Sequence, residues 1–502
     1  MTTPLQAYPV KTTPDQVDNT TVAYLANLAE TAKVSPTIAK SIVQELVDQR
    51  RHLKLIASEN YCSLSTQLTM GNLLTDKYAE GYLYSRFYAG CDNVDAIEAE
   101  ACEQAKKLFG VDHAYVQPHS GADANMVAYW AILNARVVAP ALEERDESNP
   151  ANLSVEDWNE VREITGGQRL LGLDYYSGGH LTHGYRHNLS AQMFEAHSYA
   201  VDKSTGLLDY DAIEKQALHL KPLILLAGYS AYPRKIDFRR MREIADKAGS
   251  VLMVDMAHFA GLVAGKVFTG DYDPCAHAHV VTTTTHKTLR GPRGGAVFCT
   301  EEFAEYVDKG CPMVLGGPLP HVMAAKAVAF TEANTPEFQS YARNIASNAV
   351  ALAEACIAEG MTVPTNGTDN HLLLVDVRGY GLNGRQAEGA LRRAGFTLNR
   401  NSLPFDPNGP WYTSGLRIGT PAITTLGMGP EEMKEIAAVM NLVLSNTKPE
   451  TIRKAGQADK PSKAKFVVDP VAEREARKRI DGLLDRFPVY PHLDVEALSA
   501  FL

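Results

Sequence analysis

The strongest constraint on the fold is an alternation of short apolar runs with longer helical segments between residues 96 and 299. Most of the runs are bounded by Gly, Pro or Asp, as buried parallel strands usually are. Helical segments such as Ala96–Phe109 and Phe238–Ala248 lie between several of them. Strands that alternate with helices indicate an α/β fold. The predicted strands are His113–Gln117, Arg169–Leu173, Leu223–Ala227, Val251–Val254, His279–Val281 and Gly295–Cys299.

Helices are predicted on both sides of this region. Thr21–Lys33 has helical periodicity, and Ser35 followed by Pro36 is typical of the start of another helix. Beyond the strands, Pro318–Glu332 and Gln339–Glu359 predict long helices that lead to a second, smaller unit. The apolar stripe of the helix after Ser35 is formed by Ile38, Ile42, Val43 and Leu46.

The second unit contains a predicted strand, Leu372–Val377, and a loop region, Asn399–Thr420. Asn446–Lys465 is rich in Lys, Pro, Ser and Gln, a composition that predicts a solvated linker. A terminal helix follows, because apolar residues recur there at helical spacing. Its apolar face is formed by Ile480, Leu483, Leu484 and Phe487.

Composition excludes several classes of protein. The 502 residues are 45% hydrophobic and carry a net charge of −10, which disfavours a nucleic-acid binder and attraction to an anionic membrane. Seven cysteines without CxxC spacing argue against disulfide frameworks and zinc knots, so a reducing cytoplasm is expected. Met1–Asp18 lacks the apolar core of a secretory signal, and no stretch is apolar enough to span a bilayer.

The passage that carries most chemistry runs from Val280 through four threonines to His286 and Lys287, then into Gly-Pro-Arg-Gly-Gly. A lone lysine after a strand is usually a surface residue. Here the glycines and prolines indicate a tightly shaped backbone around Lys287. A lysine amine becomes a nucleophile when a cationic or apolar setting lowers its pKa, and Schiff-base chemistry needs such a lysine.

Asp255 stands at the end of the apolar run Val251–Val254, where ligands bind in open α/β sheets. A helix N-cap is the ordinary alternative for this aspartate. Combined with Lys287, it suits the acid that pairs with the protonated pyridine nitrogen of pyridoxal phosphate (PLP). Ser120 and Gly121 lie between a strand and a helix, and backbone N–H groups there suit a phosphate, although many helices begin after Ser-Gly.

These motifs, in this order, resemble the serine hydroxymethyltransferase family. The resemblance runs from about Leu55 to Ala422. It implies fold type I of the PLP-dependent enzymes: a large, mostly parallel sheet between helices, plus a smaller α+β carboxyl-terminal domain. The matching segments are Leu55–Asn60, Lys77–Tyr82, Gln117–Gly121, Gly178–Gly184, Val254–His258, the Thr run through Lys287, Gly316–Pro318 and Thr413–Arg417.

The resemblance implies a reversible transfer of the serine hydroxymethyl carbon to tetrahydrofolate, giving glycine and 5,10-methylenetetrahydrofolate. Lys287 would form the Schiff base, and Thr284 would tune it by hydrogen bonding. Glu80 would transfer a proton. The ordinary alternative for this residue is a solvated glutamate on a helix. The implied catalytic residues are Lys287, Glu80, Asp255, His180, Thr284 and Tyr88.

The same resemblance implies the cofactor contacts. His180 would stack on the pyridine ring, although a lone histidine in a Gly-rich loop is more often a turn residue. His258 would lie near the phenolic oxygen, and Gly316 and Gly317 would complete the phosphate site of the partner subunit. The implied cofactor-binding residues are Tyr78, Ser120, Gly121, Ala122, His180, Ser230, Asp255, His258, His286, Lys287, Gly316 and Gly317.

Arg417 would hold the substrate carboxylate, because a planar guanidinium binds a carboxylate through two hydrogen bonds. A surface ion pair is the usual alternative for an arginine. Tyr78 and Tyr88 would reach the active site across a homodimer or a dimer of dimers. No metal is expected. The implied substrate-binding residues are Ser58, Glu80, Tyr88, Leu181, Asn401 and Arg417.

Three units are predicted: an arm with a helix (1–57), a large PLP-binding domain (58–334) and a small carboxyl-terminal domain (335–502). Residues 137–168 form an apparent insertion in the large domain. Ala122 and Tyr175 depart from the family's usual residues at phosphate and folate positions. Two alternatives remain open: a PLP-dependent aldolase that needs no folate, and a non-catalytic homologue that regulates RNA. Retained Lys287, Asp255 and Arg417 oppose the last.

Overall fold

The computed structural model describes residues 4–13, 16–452 and 460–501. Its chain begins with three arm helices, α1 (Pro4–Lys11), α2 (Asn19–Val34) and α3 (Pro36–Arg51). Pro36 starts α3 as predicted, because proline at the first helical position loses no intrahelical hydrogen bond. The predicted apolar stripe of α3 is only partly buried in this single chain. Val43 is enclosed, whereas Ile38 and Ile42 are 52% and 47% exposed.

Short elements connect the arm to the central sheet. One of them pairs in parallel with a later strand, and this pairing places residues 55–62 beside the second unit. They also form a small antiparallel hairpin. These elements are β1 (Leu53–Lys54), α4 (Leu64–Met70), β2 (Gly81–Tyr82) and β3 (Ser85–Arg86).

The central sheet has seven strands in the order β4-β10-β9-β8-β7-β5-β6. All are parallel except β10, which is antiparallel to β9 and to β4. The six predicted strands are confirmed with small shifts at their ends, and β6 was not predicted. The strands are β4 (His113–Tyr115), β5 (Arg169–Leu173), β6 (Glu195–Tyr199), β7 (Ile224–Gly228), β8 (Val251–Asp255), β9 (Val280–Thr284) and β10 (Gly295–Cys299).

Helices cover both faces of this sheet. Alternate residues of one strand enter different cores: Leu225 and Ala227 lie in one, and Ile224 and Leu226 in the other. Full burial on both faces explains why these strands are continuous apolar runs. The helices are α5 (Asp92–Phe109), α6 (Gly121–Leu133), α7 (Ala139–Glu143), α8 (Val155–Gly166), α9 (Ser190–Met193), α10 (Tyr210–Leu220), α11 (Phe238–Ala248), α12 (Ala260–Ala264), α13 (Pro274–His277), α14 (Glu301–Asp308), α15 (Gly310–Met313) and α16 (Pro320–Ala333).

The apparent insertion, residues 137–168, is mainly helical. A π-helical turn at Asn134–Val138 leads from α6 into α7, and α8 follows a turn region near Asp146. Helical structure was expected around Val155–Ile164, and α8 confirms it. Val161 packs with Val138, Ala141 and Leu142 in a small core of its own.

A second apolar core lies around a three-stranded antiparallel sheet of order β11-β14-β13. Strand β1 from the amino-terminal region pairs with β12 of this part, so the two ends of the chain meet here. The elements are α17 (Pro336–Ala358), β11 (Leu372–Asp376), α18 (Gly384–Arg393), β12 (Phe396–Thr397), β13 (Asn399–Asn401), β14 (Gly415–Gly419), α19 (Pro421–Thr425) and α20 (Pro430–Ser445).

The predicted linker at residues 446–465 is wrong on both sides of residues 453–459, which lie outside the described residues. Strands β15 (Thr447–Ile452) and β16 (Lys460–Val468) pair antiparallel there. The polar composition of this segment hid the alternation of inward and outward side chains that is typical of a strand. In β16, Ser462 and Val468 are buried, whereas the lysines between them are exposed. Gln386 of α18 donates hydrogen bonds to the carbonyls of Ser462 (2.7 Å) and Lys465 (3.2 Å).

The last described segment contains α21 (Pro470–Arg486) and α22 (Val495–Leu498). The predicted apolar face of α21 is confirmed, because Ile480, Leu483 and Leu484 are buried in the second core. Beyond α21 the chain returns to the arm. Arg50 donates hydrogen bonds to the carbonyls of Val489, Tyr490 and Leu493 at 3.0, 2.6 and 3.1 Å. Among the described residues, no helix is long and apolar enough to cross a membrane.

Candidate active site

The carboxyl ends of the parallel strands place the predicted residues along one edge of the sheet. Lys287 follows β9 in a turn that is closed by hydrogen bonds from Thr285 N to Gly294 O (3.1 Å) and from Gly291 N to Thr285 O (2.7 Å). Asn60 fixes the backbone from the other side, donating to the Lys287 carbonyl at 2.9 Å. The Gly-Pro-rich flank of Lys287 therefore shapes the turn, as its sequence indicated.

The Lys287 amine has no hydrogen-bond partner among the residues that the structure describes. Burial lowers its pKa to about 8; the positive charges of Arg417 and Arg293 act in the same direction, and Asp255 opposes them. A lysine with this pKa has a substantial neutral fraction near neutral pH, whereas an ordinary lysine is almost entirely protonated. Lys287 can therefore act as a nucleophile or as a base.

Asp255 ends β8 and is buried. Its Oδ1 accepts a hydrogen bond from Ala257 N (3.0 Å) within the turn after β8; the next helix, α12, has Phe259 as its N-cap, so the N-cap alternative for Asp255 does not apply. Its Oδ2 also accepts from Asn125 Nδ2 (2.9 Å) and contacts His183 Nε2 (3.1 Å). Burial alone would raise the pKa of Asp255, but the hydrogen bond and charge of His183 hold it well below its usual value. Asp255 is therefore a fixed anion.

His180 lies in the loop after β5. Its Nδ1 accepts from Thr182 N (3.3 Å) and lies 2.8 Å from the Thr182 hydroxyl, which leaves Nε2 to carry the proton of the neutral ring. Burial, followed by the charge of His183, lowers the pKa of His180 to about 4. His180 is therefore a neutral, oriented aromatic ring.

Arg417 comes from β14 of the second unit and reaches the same edge of the sheet. Its Nη1 donates to Ser230 O (2.7 Å) and its Nε to Asn399 Oδ1 (3.2 Å). Its Nη2 has no partner, and no carboxylate pairs with it, among the described residues. Burial lowers the pKa of Arg417 to about 10, so it remains cationic at neutral pH. A buried arginine without an acidic partner indicates a site for an anionic ligand.

A cavity of about 470 Å³ is lined by His180, Lys287 and Arg417, whereas Asp255 is not among its lining residues. A larger cavity of about 870 Å³ adjoins it beside the arm helices and shares Ser58, Glu59, His286 and Arg293 with it. The smaller cavity also has Tyr175 at its wall. The predicted residues that line the smaller cavity are Ser58, His180, Leu181, Ser230, His258, His286, Lys287, Asn401 and Arg417.

The predicted phosphate residues lie at the start of α6, behind the cavity wall. Ser120 is the N-cap of α6 and accepts from Asp123 N at 3.2 Å. Gly121 abuts Thr284, since a Cβ on this glycine would lie 2.7 Å from Thr284 Cγ2. Ala122 is exposed. The backbone of this turn therefore lies next to the strand that leads to Lys287.

Ten predicted residues do not line the cavity, and five of these form a separate cluster. Tyr78 and Tyr88 contact each other edge to face, with ring centroids 4.8 Å apart, and are 54% and 47% exposed. A Cβ on Gly317 would lie 3.4 Å from the Tyr78 ring. We call this set, on the β2–β3 side of the molecule, the hairpin cluster. Its members are Tyr78, Glu80, Tyr88, Gly316 and Gly317.

One expectation about a single residue changes. Thr284 does not hydrogen-bond Lys287; its hydroxyl donates to the Ala257 carbonyl (3.2 Å). His258 lines the cavity and contacts another buried histidine, with 3.2 Å between His258 Nδ1 and His371 Nε2. Burial, followed by the charge of Lys287, lowers the pKa of His258 well below its usual value.

Sequence reasoning missed the two residues that hold Asp255. His183 belongs to the Gly178–Gly184 motif and Asn125 lies four residues after Gly121, but neither was predicted to have a role. Asn125 also accepts from the Thr282 hydroxyl (2.5 Å) and donates to the Thr182 hydroxyl (2.7 Å). Only the fold brings these distant segments to one carboxylate.

The donors fit PLP. Asp255 offers a fixed anion for a protonated pyridine nitrogen, His180 a neutral ring for stacking, and Lys287 an amine with a lowered pKa. A pocket of this kind, at the carboxyl edge of a mostly parallel sheet, defines the class of fold-type I PLP-dependent enzymes.

The comparison with known proteins is specific. The chain matches the family described as serine hydroxymethyltransferase over residues 31–144 and 147–440. It is 61% identical over 496 residues to the serine hydroxymethyltransferase of Treponema pallidum (strain Nichols), covering 99% of this chain and 86% of that protein. It is 56% identical to the enzymes of Salinispora tropica, covering 94% and 98%, and Mycolicibacterium smegmatis, covering 95% and 96%.

The chain therefore belongs to the serine hydroxymethyltransferase family. Membership confirms the predicted enzyme class, a transferase that uses PLP as cofactor and tetrahydrofolate as co-substrate to interconvert serine and glycine. It also confirms the predicted fold class.

Proposed function

We propose that the cavity around Lys287 performs this reaction, with the residue roles given below. Serine and tetrahydrofolate are converted to glycine, 5,10-methylenetetrahydrofolate and water. When bound, PLP supplies a protonated pyridine ring that withdraws electrons from the amino-acid Cα. The observation that carries the assignment is the buried Arg417, which lacks an acidic partner among the described residues and shares a cavity with Lys287.

Arg417 binds the substrate carboxylate. Its Nη1 and Nε are anchored, its Nη2 has no partner among the described residues, and Ser58 lines the same cavity. The fixed guanidinium holds the amino acid in one orientation, which lowers the entropy cost of reaching the reactive geometry. Ser58 completes the same end of the site with a hydroxyl.

Lys287 and Asp255 would both hold the cofactor. Lys287 would bind it covalently and, when free, would hold or release a proton at Nζ. Asp255, kept ionised by His183 and Asn125, holds a proton on the ring nitrogen. Ser120 and Gly121 bind the phosphate at the amino terminus of α6, and His180 stacks on the ring.

The open side of the cavity receives tetrahydrofolate. Leu181, 41% exposed, Asn401 and Tyr175 form its rim. An apolar side chain and an aromatic ring beside an amide suit a flat heterocycle with hydrogen-bonding edges. Closure of this side by the folate excludes water from the reacting carbon.

Glu80 and Tyr88 act in the site of a second copy of this chain. This assignment is supported by the hairpin cluster, which lies outside the cavity of its own chain and exposes two aromatic rings. Apolar side chains nearby in sequence are also exposed, with Leu73 at 90% and Phe87 at 67%. Exposed apolar surface of this kind favours a partner. A homodimer, or a dimer of dimers, with shared active sites accounts for both observations.

We also propose three structural units and a cytoplasmic location for this protein. Residues 58–334 form the cofactor-binding domain, residues 1–57 an arm, and residues 335–502 the smaller domain that delivers Arg417. All seven cysteines are free thiols, which supports a reducing cytoplasm.

The decisive experiment is serine cleavage by the purified protein with and without tetrahydrofolate. We expect formation of glycine to depend on tetrahydrofolate and to be accompanied by 5,10-methylenetetrahydrofolate. Cleavage of serine that is equally fast without folate would instead assign a PLP-dependent aldolase. A protein that binds no PLP would contradict both enzymatic functions.

A further inference from the structure

Lys326 is a buried cation with no role in the reaction described above. It lies on α16 with 1% of its surface exposed. Its Nζ donates hydrogen bonds to three backbone carbonyls, those of Val116 (2.5 Å), Pro118 (2.9 Å) and Gly295 (2.9 Å). No described carboxylate lies within ion-pair distance of it. Lysine is almost never fully buried without such a partner, so its position calls for an explanation.

The three carbonyls come from the two segments that flank the start of α6. Val116 and Pro118 extend β4 toward Ser120, and Gly295 begins β10. Gly295 N donates to Pro118 O (2.9 Å), and a Cβ on Gly295 would lie 2.3 Å from Ser120 O. The Lys326 amine therefore joins the strand before the Ser120 turn to the strand beside it.

The same turn is fixed from the other side by a polar network. Gln117 Nε2 donates to Glu98 Oε1 (2.9 Å) and to Gly81 O (3.0 Å). Arg86 also binds Glu98, and its Nη1 donates to Gly81 O at 3.1 Å. Val116 and Pro118, the two sequence neighbours of Gln117, both accept hydrogen bonds from Lys326 through their carbonyls. Without the ammonium, three carbonyl oxygens would converge in the interior with no shared donor.

We propose that Lys326 is a positioning residue for the turn His119–Gly121 and gives it the geometry and positive potential that bind a phosphate group. This inference rests on the proposed assignment of Ser120 and Gly121 to the PLP phosphate. The ammonium keeps the carbonyl ends directed away from the turn, so that its N–H groups face the ligand. Burial lowers the pKa of Lys326 to about 7, against the charges of Glu98 and Asp123, and the three carbonyl acceptors match the three N–H groups of the ammonium form.

The test separates the phosphate from the rest of the cofactor. Apo-protein is titrated with PLP and with pyridoxal, which has the same aldehyde and ring but no phosphate. In Lys326→Met we expect the dissociation constant of PLP to rise by at least about tenfold, because a charged donor beneath the phosphate site is lost. We expect that of pyridoxal to change by less than about twofold, since Lys287 and Asp255 are untouched.

Lys266→Met is the matched control. Lys266 also donates to a backbone carbonyl, that of Leu108 (3.0 Å), but it is exposed and contacts none of the residues of the turn. Neither dissociation constant should change in this variant. Equal weakening of PLP and pyridoxal by Lys326→Met, or no weakening of PLP, would overturn the inference.

A second variant covers the case in which Lys326→Met does not fold. Lys326→Gln keeps an amide donor but removes the charge. Inorganic phosphate should raise the melting temperature of the wild-type apo-protein, and raise that of Lys326→Gln clearly less. An equal rise in both proteins would contradict the inference. Failure of the wild-type protein to bind PLP at all would instead contradict the proposed function.

Discussion

His183 contacts Asp255 through Nε2 at 3.1 Å, while its Nδ1 accepts the backbone N–H of His180 at 3.3 Å. The second contact fixes the tautomer, so Nε2–H donates to the carboxylate. One imidazole thus joins the anion at the end of β8 to the backbone of His180, the residue proposed to stack on the cofactor ring. The electrostatics of the two predicted ring contacts, Asp255 and His180, therefore depend on His183.

Replacing His183 should change acid stability. The pKa of Asp255 is lowered in the folded protein, so its contribution to stability is complete above its unfolded pKa and is lost as pH falls through the lower folded pKa. His183→Asn weakens this effect and raises the folded pKa. We expect acid unfolding of the apo-protein, followed by circular dichroism, to begin at a higher pH. His197→Asn, which removes an exposed contact with Glu195 (3.0 Å), should leave the curve unchanged.

The amine of Lys287 should control how fast the apo-protein combines with pyridoxal. Only the neutral amine is a nucleophile, so the rate should rise with pH around a midpoint near the Lys287 pKa of about 8. Absorbance spectroscopy follows the reaction. Lys287→Ala should lose this phase and all multiple-turnover activity, whereas Lys266→Ala should retain both. A midpoint near that of ordinary lysines, about 10.4, would show that the site does not lower the pKa.

Loss of Arg417 should affect the amino acid rather than PLP. We expect Arg417→Ala to raise the KM for serine by about 100-fold, since a buried charge-assisted contact to the carboxylate is lost, with little change in PLP affinity. Arg400→Ala is the control, because Arg400 also lines the cavity but its guanidinium is paired with Glu388. Steady-state kinetics and a PLP titration separate the two effects. Unchanged serine KM in Arg417→Ala would remove Arg417 from the substrate site.

Much of the fold could be predicted because strands buried on both faces are visible as apolar runs, and their ends placed Asp255 and Lys287 at the same edge. Strand β6 could not be predicted in this way, because it is an edge strand whose polar residues face solvent. The partners of Asp255 escaped prediction because a hydrogen bond between distant segments leaves no local pattern. Lys326 could not be predicted for the same reason. A lysine on a helix is expected at the surface, but α16 places this one in the core.

The carboxyl-terminal segment should stabilise the arm through Arg50. Its guanidinium donates hydrogen bonds to three carbonyls between Val489 and Leu493. Loss of the guanidinium leaves these partly buried acceptors without this donor. We expect Arg50→Ala to lower the free energy of unfolding by about 2 kcal/mol, measured by urea denaturation. Arg51→Ala, at an exposed neighbouring position, should have little effect. Equal stability of the two variants would show that these contacts do not hold the segment.

A mixture of two inactive variants tests whether the hairpin cluster serves the partner's site. Glu80→Gln and Lys287→Ala should each be inactive. After mixing and reassociation, half of the dimers are hybrids, and one of the two sites in each hybrid contains both native residues. We therefore expect roughly a quarter of wild-type specific activity to return. The control mixes Lys287→Ala with Arg417→Ala, whose residues line the same cavity of one chain; every site there keeps a defect, so activity should not exceed the average of the two variants measured separately. Absence of recovery in the first mixture would place Glu80 in the site of its own chain.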